Sequence, residues 1–74
     1  MTPIRQALHA AARTFVRDAH LHWLAANRHA EQCFTHAVLG RQLERILAET
    51  RYHTHKSLYR QNITKASRTL EMMK

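Results

Sequence analysis

HAVLGRQLERIL, residues 36–47, decides the fold. It holds the chain's one glycine, Gly40, between two segments of helical apolar spacing. Val38 and Leu39 close the first, and Leu43, Ile46 and Leu47 open the second. Glycine enters left-handed backbone without steric cost, so it is the usual residue at a helix stop. A turn at Gly40 would fold the chain back on itself. The one proline, Pro3, follows Thr2 in the order N-cap, then first helical position. With no other breaker in 74 residues, long helices are expected on both sides of Gly40.

Upstream of Gly40 an apolar stripe runs Ile4, Leu8, Ala12, Phe15, Ala19, Trp23, Ala26, Ala30, Cys33, Ala37. Its steps of three and four are the helical period. The middle is small, which lets another helix approach closely. Asn27 is a candidate cap for a separate helix, but the stripe keeps phase through it. Downstream, Leu43, Ile46 and Leu47 are followed by the polar stretch Thr50–His55, after which Leu58, Tyr59, Ile63, Ala66, Leu70 and Met73 resume the pattern. Thr50, Thr54 and Ser57 are weak helix formers, so this arm is either one helix or two with a break near Thr50–Tyr52.

The expected architecture is a single all-α domain over residues 1–74, an antiparallel helical hairpin turning near Gly40. A compact three-helix bundle is the alternative. Arms of more than 30 residues would be roughly 50 Å long. A bare hairpin buries each helix on one side only, so pairing into a dimeric four-helix arrangement is expected. Size points the same way: 45% of residues are apolar, but many are alanine. A chain this short buries only about 60% of its unfolded surface, and oligomerisation is a common remedy. The residues assigned to the helix seam or dimer core are Leu8, Phe15, Trp23, Leu43, Leu47, Ile63 and Leu70.

The formal charge is +7 with histidine neutral. The excess lies in the second half, and no carboxylate occurs between Thr50 and Leu70. Arg51, Lys56, Arg60, Lys65 and Arg68 form a candidate basic face for an anionic partner. Trp23, Phe34, Tyr52 and Tyr59 are candidate aromatic contacts. Interleaved tyrosines, hydroxyls and cations also suit nucleic acid, since cations and hydroxyls meet phosphates and tyrosines stack on unpaired bases. The run QCFTHAVLGRQLERILAE, residues 32–49, matches a helix-turn-helix only in part. His36 stands where a small residue is needed and Arg41 where an apolar one is, and a hairpin turn accounts for the same glycine.

Catalysis is not expected. The five carboxylates are not paired at acid–base spacing, and one glycine cannot build a phosphate loop. No cofactor is implied. Seven histidines raise the question of metal. His29, Cys33 and His36 share a helix face, with His22 one heptad earlier, and imidazole and thiolate suit zinc or copper. A single helix supplies at most two or three such ligands, and structural zinc sites usually use at least two cysteines. Cys33 is therefore taken as a small core residue, with the histidines on the rim of the seam. Imidazoles near an interface would make association sensitive to pH near 6.5. The lone Cys33 fits a reducing cytoplasm, no signal peptide is legible, and no run is long enough to span a membrane.

The segments AANRHAEQCF and HAVLGRQLERIL, in a short chain rich in Ala, Arg and His, resemble small early-region proteins of temperate phages. The resemblance implies a protein that binds a host regulator, pilus-assembly motor or defence complex and inhibits it. It assigns no residue roles. A non-enzymatic helical binding protein is the expectation, with a protein partner foremost and a nucleic-acid regulator as the alternative.

Overall fold

The computed structural model describes residues 2–73. Two helices make up the chain, α1 (Pro3–Val38) and α2 (Gln42–Glu71). They pack against each other along their length as an antiparallel hairpin. The Cα envelope measures 57 × 13 × 12 Å. Of the two expected architectures, the hairpin is the one observed.

Local chemistry explains each boundary. The Thr2 Oγ1 accepts a hydrogen bond from the Arg5 N–H at 3.2 Å, and Pro3 starts α1. At the far end Gly40 has φ of +71°. The Arg41 N–H bonds to the His36 carbonyl at 2.8 Å and the Gly40 N–H to the Ala37 carbonyl at 3.2 Å. This paired closure of the last turn is the Schellman motif, which needs a left-handed residue at Gly40. Arg41 then starts α2 with no side-chain cap. At the open end, the Arg5 guanidinium donates to the Met73 carbonyl at 2.9 Å, tying together residues 68 positions apart.

Neither suspected break occurs. α1 runs straight through Asn27, and α2 runs straight through Thr50–Tyr52. The threonines fit because each hydroxyl donates to the carbonyl one turn back: Thr50 to Ile46 and Thr54 to Thr50, both at 3.0 Å. Such back-bonding satisfies a hydroxyl without breaking the helix.

The seam obeys a seven-residue repeat on both arms. On α1 the buried and half-buried rows are Leu8, Phe15, His22, His29, His36 and Ala12, Ala19, Ala26, Cys33. On α2 they are Arg45, Tyr52, Tyr59, Ala66, Met73 and Ala48, His55, Asn62, Thr69. The fully buried apolar residues are all alanines: Ala12, Ala19, Ala26, Ala48 and Ala66. Small side chains let the helices approach closely but bury little area. The stripe read from sequence is correct at Leu8, Ala12, Phe15, Ala19, Ala26 and Cys33. At every second step beyond Ala19 it moves one residue off the seam, to Trp23, Ala30 and Ala37, which are exposed. The true seam row carries His22, His29 and His36, in the seam and not on its rim.

Candidate functional site

Three features could carry function: an aromatic face beside the seam, a cationic outer surface on α2, and a histidine cluster inside the seam.

The aromatic face arises because α1 rows one step off the seam carry Val16, Trp23 and Ala30, and α2 contributes Tyr52, Tyr59 and Ile63. Three hollows connect along it. One of about 220 Å³ lies among Trp23, Ala26, Tyr52, Lys56 and Tyr59. Trp23 and Tyr59 also border a hollow of about 430 Å³ reaching Val16 and Ile63. Tyr52 borders a third of about 450 Å³ with Cys33 and Phe34. The result is a groove with a floor of Ala19, Ala26 and Cys33 and aromatic walls. The three hollows share Trp23, Tyr52 and Tyr59 among their lining residues and are open to solvent.

Each seam or aromatic candidate has a definite place. Leu8 and Phe15 are half-buried on the seam. Trp23 is 47% exposed and stacks beside His20 with ring centroids 6.1 Å apart. Phe34 is 72% and Leu43 76% exposed. Leu47, Ile63 and Leu70 also stand outside the seam of this pair. Phe34, Val38, Leu39, Leu43, Ile46 and Leu47 crowd the turn end with much of their surface in solvent. Trp23, Leu43, Leu47, Ile63 and Leu70 read as seam in the sequence because helical periodicity shows a face without showing what covers it.

The basic residues do not gather on one stripe. Arg60, Lys65 and Arg68 border a shallow outer depression of about 440 Å³ with Ser57, Gln61 and Thr64. Lys56 leans the other way, with Nζ 5.5 Å from the centre of the Tyr52 ring. The Lys65 Nζ reaches 5.9 Å from the Phe15 ring across the seam. Arg51 is exposed on α2. Among the described residues no ion pair engages Arg51, Arg60, Lys65 or Arg68. Charge is thus available to an anionic partner without first breaking an internal bridge.

The histidine cluster joins His22 and His29, which share a row of α1 in the sequence, to His55 of the other arm, and it lies inside the seam and not on its rim. His22 Nδ1 and His55 Nδ1 face each other across the helices at 3.0 Å. The His29 ring stacks on His55 at 5.3 Å between centroids, and its Nδ1 bonds to the Gln32 Oε1 at 3.1 Å. Burial, then the adjacent His22 and His29, push the His55 pKa below its ordinary value of 6.5. His36 carries a buried Nδ1 with no hydrogen-bond partner. Cys33 is a half-buried free thiol between Ala26 and the turn. No group of three or more His, Cys, Asp or Glu among the described residues is arranged to hold a metal ion. His29, Cys33 and His36 therefore share a helical face without converging. No helix among the described residues is long and apolar enough to cross a membrane.

Comparison of the chain with known protein families, with curated proteins and with solved structures gives no match.

Proposed function

We propose that this chain is a non-enzymatic binding protein, working as a dimer of helical hairpins that docks on a macromolecular partner and modulates it. One observation carries the proposal. The hairpin's own core is alanine, while Trp23, Phe34, Leu43, Leu47 and other large apolar side chains lie open to solvent. Large exposed apolar patches mark association surfaces.

Area supports a second copy as the first occupant. The chain exposes 5754 Å². A compact chain of 8.7 kDa would expose about 4700 Å². The excess is close to the roughly 800 Å² that each member of a standard protein pair buries. Its radius of gyration, 16.7 Å, likewise exceeds the approximately 11 Å of a compact chain this long. Two hairpins laid groove to groove would cover Val16, Trp23, Ile63 and Leu70 and complete a four-helix arrangement. The outer side of α2, with Lys65 and Arg68, would remain open, while Arg60 borders both that side and the groove.

That remaining surface is the proposed contact with the partner, an acidic face of a larger protein. The resemblance to phage early-region proteins supplies the class: a cytoplasmic protein of the host, inhibited by occupation of its surface. The double variant Lys65→Glu, Arg68→Glu should stay dimeric and lose a nuclease-resistant partner captured from host lysate. A captured partner unaffected by those changes would remove the basic surface from the proposal.

A nucleic-acid reading is favoured by one specific feature. The outer depression alternates cations with hydroxyl and amide groups, the types that contact phosphate oxygens. Salt separates the two readings. Six phosphate contacts would cost about a thousandfold in affinity between 50 and 200 mM salt. A gel shift with no retarded band at 50 mM salt would eliminate it.

A further inference from the structure

The middle of the seam carries imidazoles where a coiled pair would normally carry leucine. Position by position, His22 and His29 continue the row that begins with Leu8 and Phe15. His55 lies opposite them, with ring centroids 5.2 Å from His22 and 5.3 Å from His29. The His22 and His55 Nδ1 atoms are 3.0 Å apart, so they lie nearly on the line joining the two rings. That is the arrangement of an N–H···N hydrogen bond. It is not the arrangement of two donors aimed at a common metal ion, and no third donor converges on them.

We propose that His22, His29 and His55 form a proton-operated latch, which holds the hairpin closed while the accepting Nδ1 of the His22–His55 pair is bare and loosens it once that atom is protonated. In the neutral pair one ring donates its Nδ1–H and the other accepts with its Nδ1 lone pair. A first proton can enter at the outer Nε2 of the donating ring. The Nδ1 bond then survives and becomes charge-assisted. A second proton must enter at the accepting Nδ1. It removes the lone pair, sets two N–H groups head to head and puts two positive rings side by side. His29, stacked on His55, brings a third imidazole into the same space.

The remaining neighbours do not offset this charge. On α1, Asp18 stands one turn before His22, half-buried, with its carboxylate 3.8 Å from the Arg17 guanidinium. It is the carboxylate of this stretch of the seam and can favour one proton, not two. On α2 the turn before His55 carries cationic Arg51 and the phenol Tyr52. Lys56 is adjacent, and Tyr59 and Asn62 follow. Asn62 spends its amide N–H on the Leu58 carbonyl at 3.0 Å. Glu49, the carboxylate of α2 level with His29, is held by the Arg45 guanidinium at 3.1 Å and lies 3.8 Å from the exposed His53 imidazole, so nearest His55 the helix presents cations and neutral groups. The latch lies beneath the groove floored by Ala19 and Ala26. Loosening it would separate Trp23 from Tyr52 and Tyr59 and dismantle the aromatic face.

The sign follows from proton counting. An unfolded chain takes protons on all three rings near pH 6.5, whereas the closed seam refuses at least one. Stability contributed by the latch is therefore full above about pH 6.5 and is lost as pH falls below it. The test uses the full chain at fixed concentration. Circular-dichroism melts between pH 7.5 and 5.5 are paired with an NMR titration of the imidazole Cε1–H signals. The wild type should lose about 5–10 °C in Tm over that range. His55→Gln should lose markedly less, while His9→Gln, at an exposed position, should match the wild type. In the titration, the His55 signal should move at a pH below its ordinary 6.5, coupled to that of the ring it faces. Equal Tm losses in wild type and His55→Gln would overturn the latch. So would titration of His55 in one independent step at its ordinary 6.5, a result that decides the matter even if His55→Gln does not fold.

Discussion

The seam and the aromatic face lie side by side on the same helices, yet they are built from opposite materials. The seam that joins the arms is alanine where it is fully buried, with histidine, threonine and asparagine between, and its large members Leu8, Phe15, Tyr52 and Tyr59 are only half-buried at its edges. The face beside it, left open, carries Trp23, Tyr52, Tyr59 and Ile63, with Phe34 at its edge. A solitary domain would arrange these the other way, since large side chains contribute most when buried, at roughly 1.5–3 kcal/mol each. The difference teaches that intrachain packing here serves geometry. Small residues bring the helices close and in register, and most of the large ones stay exposed, free for the association proposed above.

That division can be broken in order of expected effect. Ala19 has no exposed surface, so Ala19→Leu has nowhere to put its added carbons. It should force the helices apart at a cost of about 3 kcal/mol, read as a steep loss in denaturation midpoint. Trp23→Asp acts on the other region. Hairpin stability in the isolated chain should change little, but association should weaken by about 2 kcal/mol or more, roughly thirtyfold, in a dilution series. Gly40→Ala meets no neighbouring atom within 4 Å, so only the left-handed backbone opposes it. A loss of about 1 kcal/mol is expected, with helicity and mass unchanged. The smallest effect is a gain. Arg41 starts α2 without a cap, and Glu44 already occupies the third helical position. Arg41→Ser would complete a capping box and should raise stability by about 0.5–1 kcal/mol, seen as a Tm increase of a few degrees.

The hairpin was legible because its signals are local. Gly40 between two apolar patterns, Thr2–Pro3 at the start and the lack of other breakers leave few alternatives. The seam was half legible. Ala12, Ala19 and Ala26 follow from spacing, but past Ala19 a search for apolar residues steps onto the Trp23 row. Histidine does not read as a core residue, and its place in the seam depends on His55, 33 positions away from His22. The row His22, His29, His36 was legible, and a strict seven-residue count from Leu8 and Phe15 would have placed it in the seam, but not opposite His55. The basic residues were found individually, but not their division between the outer depression and the Tyr52 ring. That division depends on side-chain direction around α2, which composition does not encode.

The central claim is that the aromatic face is covered by a second copy of the chain. Sedimentation equilibrium across a dilution series, with Trp23 emission recorded on the same samples, tests it most directly, because Trp23 is the only tryptophan. The account predicts a particle of twice 8.7 kDa at high concentration. On dilution it should dissociate, with emission shifting to the red as Trp23 enters water. A mass of 8.7 kDa at every concentration, with emission red-shifted and constant, would contradict it.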